Sequence, residues 1–380
     1  MDAMTLDDLP TPCLVLDLPT LRRNLARMAE VAARAGVPLR PHMKTAKSVD
    51  VAWLALAGQP GGITVSTLAE AAYFAAHGIR DILYAVGITP QKLDAVARLN
   101  ATGADVAVIT DDLETAATIA AHPSTPRTLI EIDTGEHRGG LAPDNDALLP
   151  LAARLGPRLA GVMTHAGHSY SGRSESDMVR IAEAERAGAV RPAERLRAAG
   201  HPCPIVSVGS SPTALHARTL AGVTEARPGV YMFGDLFQAG IGTHLHEDVA
   251  VTVLASVIGR RPEMHRFLID AGGLALSKDR STEALPDDYG FGLVCDIAGR
   301  PRFGRAIVER AYQEHGVVAC DPTRPWPDPR VGERVRVAPN HVCMTAAAHD
   351  RYFVVDGGAE VVAVWPRVNG WAPERGTSSA

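Results

Sequence analysis

Residues 37–57 read Val37-Pro38-Leu39-Arg40-Pro41-His42-Met43-Lys44-Thr45-Ala46-Lys47, then Ser48-Val49-Asp50-Val51-Ala52-Trp53-Leu54-Ala55-Leu56-Ala57. A short apolar run leads through a polar corner carrying a lysine into a stretch with apolar residues three and four apart. That spacing predicts a strand near Val37–Pro41, a corner, and a helix over Ser48–Ala57. The unit recurs. Short apolar, often β-branched runs bounded by turn residues predict further strands near Ile63–Val65, Ile82–Val86, Val106–Ile109, Thr128–Ile132, Ala160–Thr164, Ile205–Val208 and Thr224–Tyr231. Helical period marks Leu21–Ala35, Leu68–Ala76, Pro90–Leu99, Leu113–Ala121, Ala147–Ala153 and Ser174–Ala199. This run of alternations predicts an α/β fold, a (β/α)8 barrel with its chemistry at the C-terminal ends of the strands. A doubly wound open sheet is the rival, and the chain has no GxGxxG between strand and helix to support it.

After His246 the texture changes to Val249–Ile258, Phe267–Ala271, Arg334–Val337, Tyr352–Val355 and Val361–Trp365, separated by Gly, Pro and Asp, with little helical period. We therefore expect a barrel over residues 19–245 and a mostly β domain over 246–380, with residues 1–18 added to the latter through Cys13–Leu18. The tail Gly376–Ala380 is expected to fray.

Composition narrows the function. Apolar residues make up 46% and charged residues 21%, as in ordinary folded proteins, and the net charge is −5 with no basic run. Such a surface excludes an electrostatic footprint for nucleic acid or anionic membrane. The acidic start Met1–Pro10 is no secretory or transit signal, and no apolar run approaches the ~20 residues of a membrane span. The expected location is the cytoplasm. Five cysteines, Cys13, Cys203, Cys295, Cys320 and Cys343, are odd in number and widely spaced, as reduced thiols are.

The chain has only four lysines, Lys44, Lys47, Lys92 and Lys278. Lys44 falls at the C-terminal end of the first expected barrel strand, where a desolvated amine could form a Schiff base with a carbonyl cofactor; a solvated surface lysine is the plain alternative. Ser207-Val208-Gly209-Ser210-Ser211-Pro212-Thr213 and Arg227-Pro228-Gly229-Val230-Tyr231 leave late strands with glycine and hydroxyl groups suited to phosphate, or to an ordinary helix cap. Asn340-His341-Val342-Cys343 places His and Cys on one face if the segment is a strand, a pair able to share a metal with water and substrate. A third ligand such as His349 or Asp350 would complete it; a buried cysteine beside a core histidine is the alternative. Glu131-Ile132-Asp133-Thr134-Gly135-Glu136-His137-Arg138 and Thr164-His165-Ala166-Gly167-His168-Ser169-Tyr170 add acid–base groups at expected strand ends.

Together, Arg-Pro-His-Met-Lys-Thr at 40–45, Thr-His-Ala-Gly-x-Ser-Tyr at 164–170, Val-Gly-Ser-Ser-Pro-Thr at 208–213 and Pro-Asn-His-Val-Cys at 339–343 resemble the fold-type III pyridoxal-phosphate enzymes. Within these the resemblance is to the D-serine dehydratase and D-threonine aldolase family, an alanine-racemase-like barrel joined to a β domain, and it spans nearly the whole chain. The resemblance implies that Lys44 carries pyridoxal phosphate, that Gly209, Ser210, Ser211, Gly229 and Tyr231 hold its phosphate, and that Arg138 faces its ring. Tyr170 belongs with the cofactor and the reaction, and His165 is a candidate base. His341 and Cys343 would bind a divalent metal, zinc before manganese, magnesium or cobalt. A small D-3-hydroxyamino acid substrate and a homodimer are implied as well. His-x-Cys and Thr-His-x-Gly-x-Ser-Tyr resemble the dehydratases, and Glu247–Ala250, Ile269–Gly272, Lys278–Arg280, Asp288–Gly292 and Gln313–Gly316 resemble the 3-hydroxyaspartate-specific branch. Ala348–Tyr352 with Trp365-Pro366 resembles the aldolases instead. The expected reaction is dehydration to a 2-oxo acid and ammonia, with aldol cleavage to glycine and an aldehyde second. A racemase, which needs no metal, and a non-catalytic cofactor carrier, which would be a lone barrel, follow.

Overall fold

The computed structural model describes residues 3–371; the expected frayed tail Gly376–Ala380 lies outside them. Two compact units form, one from Met1–Ala26 with Val230–Arg367 and one from Arg27–Gly229 with Val368–Ala380.

In the unit beginning at Arg27, the strands Ile63–Val65, Asp81–Gly87, Asp105–Thr110, Thr128–Ile132, Leu159–Thr164, Ile205–Val208 and Glu225–Ala226 pair in sequence order, every pair parallel. Helices Val49–Leu56, Leu68–Ala76, Leu93–Ala101, Leu113–Ala121, Leu148–Leu155 and Glu175–Ala198 alternate with them. Residues 39–42 close the ring, Leu39 bridging to Ala226 and His42 to Thr64. The expected strand Val37–Pro41 is reduced to these bridges because Pro38 and Pro41 have no N–H to donate to a ladder. The eighth strand is likewise shorter than Thr224–Tyr231: it stops at Ala226 and the chain turns through Pro228 and Gly229.

Leu83, Ala107, Ile109, Leu129, Ala160 and Met163 fill part of the interior. Charge occupies another part. Arg40 donates to Glu225 Oε2 at 2.8 Å and to Asp81 Oδ2 at 2.6 Å, and Ser207 Oγ reaches Glu225 Oε1 at 2.6 Å. A buried cation here is tolerable only because it is paired on both sides.

The other unit is a nine-stranded sheet in the order Arg266–Ile269, Gly316–Ala319, Ile307–Ala311, Leu293–Asp296, Arg334–Ala338, Val251–Arg261, Cys13–Asp17, Arg351–Val355, Val361–Pro366. Val251–Arg261 also pairs with Arg266–Ile269, curling the sheet back on itself. Every pairing is antiparallel except Cys13–Asp17 with Arg351–Val355. Short helices at Leu236–Gly240, Gly273–Leu276 and Val342–Ala346 interrupt it. Among the described residues no helix is long and apolar enough to cross a membrane.

Candidate active site

A cavity of about 540 Å³ opens at the C-terminal ends of the parallel strands, lined by His42, Lys44, Glu131, Arg138, His165 and Arg227 among others. The corner that carries Lys44 is pinned on both sides: His42 N–H bonds Pro228 O at 2.9 Å and Met43 N–H bonds Thr64 O at 2.8 Å. The remaining lysines are committed elsewhere, Lys47 to Glu70 at 3.3 Å, Lys92 to the Tyr84 hydroxyl at 2.8 Å, and Lys278 to Ala311 O.

His165 follows the strand Leu159–Thr164 and its Nδ1 lies 2.6 Å from Gly209 O. A carbonyl only accepts, so Nδ1 carries the proton and Nε2 keeps its lone pair. Burial, then the charge of Lys44, push the His165 pKa down to about 3, leaving a neutral imidazole. His42 is held well below its ordinary value by burial first and Lys44 second. Burial raises the Glu131 carboxyl, against the pull of Arg138. Arg227 is 3% exposed; its Nε donates to Ser207 Oγ at 2.7 Å and its Nη2 to Thr164 O.

Gly209 has φ of +155°, and a Cβ there would stand 2.7 Å from Arg227 N; at Gly229 it would stand 2.8 Å from His42 O. Only glycine fits either place, and both leave backbone bare. Ser210 caps the helix Ser211–His216 and pairs with Ser169 Oγ at 2.9 Å. Ser211 is buried beside it. Tyr170 lies on the turn Gly167–Ser171, and Tyr231, buried, on the turn Val230–Met232 of the sheet unit. Thus Lys44, Arg138 and His165 meet in one cavity; Gly209 is tied to it through His165, and Ser210 and Ser211 follow Gly209 in the chain. Pyridoxal phosphate fits this donor set: an amine for its aldehyde, cations for its charge, and a glycine-bared turn where a Cβ would intrude.

Sequence reasoning assigned no role to Arg227 or His42, and it missed Glu185. This carboxylate, 2% exposed in the helix Glu175–Ala198, accepts from Ala166 N and Gly209 N, each at 3.0 Å, locking the loops after two neighbouring strands. Glu185→Ala strands two buried N–H groups and is expected to cost roughly 2–5 kcal/mol in urea unfolding, with Glu185→Gln, which keeps an acceptor, costing less.

The second candidate group lies in the sheet unit, and here an expectation fails. His341 and Cys343 do not alternate along a strand. The strand Arg334–Ala338 ends at Pro339, and Val342–Ala346 is a helix whose first N–H is capped by Asp235 Oδ2 at 3.0 Å. The two side chains still interact: burial opposes protonation of His341, but hydrogen bonds to Asp279 and Cys343 push its pKa up to about 11. His341 Nδ1 lies 2.9 Å from Asp279 Oδ2, which leaves Nε2 for a metal. His349 turns to Ala275 O instead, and Asp350 pairs with Arg351, so neither supplies the expected third ligand. Among the described residues no group of three His, Cys, Asp or Glu side chains is arranged to hold a metal. An ion at His341 and Cys343 would therefore take water or substrate for its other ligands, and the N,S donors suit zinc. Asp279→Asn is expected to weaken zinc binding roughly 10–100-fold in competition with a chromophoric chelator.

A parallel barrel presenting one lysine at its rim, with a separate curled antiparallel sheet, defines the alanine-racemase class of fold. Residues 16–236 match the family described as the alanine racemase N-terminal domain, and 250–355 match a serine dehydratase domain. The chain is 45% identical to D-threo-3-hydroxyaspartate dehydratase of Delftia sp. (strain HT23), over 97% of this chain and 99% of that one. The solved structure of the Delftia enzyme superposes with a TM-score of 0.92 at 44% identity, covering 97% of this chain and all of the other. A 3-hydroxy-D-aspartate aldolase of Paracoccus denitrificans is 30% identical, over 96% of this chain and 93% of its own. The chain belongs to the family of D-threo-3-hydroxyaspartate dehydratase and its lyase relatives.

Proposed function

We propose that the protein is a pyridoxal-phosphate- and divalent-metal-dependent dehydratase converting a D-3-hydroxyamino acid to a 2-oxo acid and ammonia. D-threo-3-hydroxyaspartate is the first candidate substrate; D-serine and D-threonine are the others. The observation that carries the reading is the His341–Cys343 pair, in a chain 45% identical to a D-threo-3-hydroxyaspartate dehydratase.

Pyridoxal phosphate, when bound, supplies an electron sink next to the substrate's α-carbon. Lys44 would hold it, and its free amine would serve as the base for the α-proton. His165 lines the same cavity as a neutral imidazole held through Nδ1 on Gly209 O, and its lowered basicity leaves the proton to the lysine. Arg138 and Arg227 give the cavity the positive charge that carboxylates and phosphate require. His341 and Cys343 would hold a divalent metal, zinc in our reading, and such an ion would supply Lewis-acid stabilisation of a departing hydroxyl. Water lost in the elimination is regained when the product hydrolyses, so the net change is release of ammonia. We further propose that the protein works as a homodimer in the cytoplasm.

The test supplies the purified protein with pyridoxal phosphate and zinc or manganese and offers the three D-amino acids. Ammonia with 2-oxo acid and no glycine supports the reading; glycine with an aldehyde replaces it with the aldolase reading. Configurational inversion alone, insensitive to chelators, replaces it with a racemase.

A further inference from the structure

We infer that the antiparallel unit holds a second small-molecule site, one that takes an α-amino acid as its zwitterion. It is a cavity of about 440 Å³ whose lining includes Asp17, Leu236, Glu247, Leu293 and Arg336, and it shares no lining residue with the Lys44 cavity. The volume lies within the ~300–1,000 Å³ range of ligand pockets.

Arg336 is the reason to read this cavity as built for a ligand. It sits on the strand Arg334–Ala338 at 5% exposure, and Nε donates to Thr252 Oγ1 at 2.7 Å. Among the described residues no carboxylate forms an ion pair with it. Asp17, Cys295 and Asp296 act on it only through space, so burial remains the larger influence on its charge. A buried guanidinium of this kind normally has a carboxylate partner. Its terminal nitrogens form a planar fork suited to a carboxylate arriving from the cavity.

The remaining walls fix the rest of the ligand. Asp17 uses Oδ1 to accept the Thr20 N–H at 2.9 Å, Glu247 is exposed, and Arg300 lies on the same lining paired with Asp296 at 3.8 Å, so charge of both signs is available beside Arg336. Leu236 and Leu293 are buried apolar wall. A simple anion would meet repulsion from Asp17 and Glu247, and a simple cation would meet Arg300 and Arg336. A zwitterion answers both charges and leaves its side chain for the leucines.

The probe is L-leucine, which has no 3-hydroxyl to lose, titrated calorimetrically into the holoenzyme beside 4-methylpentanoate and 3-methylbutylamine. Saturable binding of L-leucine is expected, with both analogues at least tenfold weaker. Arg336→Met should weaken it tenfold or more. Ala298→Trp, at an exposed turn on the cavity lining, should do the same without touching the core, so a folding failure of the first variant leaves the test intact. Lys44→Arg should leave the affinity unchanged. Absence of saturable binding overturns the inference. So does binding that survives Ala298→Trp, binding lost with Lys44→Arg, or an analogue that binds as well as L-leucine.

Discussion

Lys44→Ala is expected to abolish the visible absorbance of protein-bound pyridoxal phosphate and to lower turnover by about 10⁴-fold or more. The size follows from the proposed double use of one amine, which would both hold the cofactor and take part in proton transfer. The other lysines are engaged: Lys47 is held by Glu70, Lys92 by the Tyr84 hydroxyl and Lys278 by Ala311 O. Lys44→Arg refines the experiment because it keeps the cation but cannot form the imine. It should lose the absorbance and the turnover while retaining cofactor in dialysis, since the glycine-bared turn at Gly209 and the charge of Arg227 are unchanged. A spectrum that survives Lys44→Ala would remove this lysine from the cofactor assignment.

Chelation, or Cys343→Ala, stops release of ammonia and 2-oxo acid by about 10²–10⁴-fold while leaving exchange of the substrate's α-proton with deuterated water largely intact. On the proposed mechanism the two steps separate, because the hydroxyl alone would need a Lewis acid whereas the α-proton would go to groups of the Lys44 cavity. Two protein ligands leave no redundancy, so Cys343→Ala should fall below one-tenth of a metal per chain by elemental analysis. Added zinc should rescue the chelated protein and not the variant. Full ammonia release from demetallated protein would overturn the metal's part in the reaction.

The barrel was legible because its signal is local: each strand and helix announces itself within a dozen residues, and Lys44 is placed by its own segment. The closing segment was overdrawn as a strand because hydrogen-bond donors lost at Pro38 and Pro41 matter only when a ladder is counted. The short strands Leu293–Asp296, Ile307–Ala311 and Gly316–Ala319 went unread among Gly, Asp and Pro. Their pairing across the sheet stabilises what their own sequence barely encodes. The helix at Cys343 was hidden for a similar reason, since the carboxylate that caps it belongs to Asp235, far away in the chain. Glu185 is one acid among several on a long helix, and only the fold shows that it points inward. Arg227 is one of many arginines, and its burial depends on Ser207 and Thr164 from two other strands.

The strand Cys13–Asp17 has a consequence for synthesis. Val15 finds its partners at Thr252 and Phe353, so the segment is made well before either partner and must wait for both to be paired. The intervening parallel strands can close while Cys-Leu-Val-Leu-Asp still presents an open apolar edge. During that interval the nascent chain carries a ready template for mispairing with its neighbours. Chaperone dependence, or aggregation when the gene is strongly overexpressed, should therefore trace to this segment rather than to the barrel.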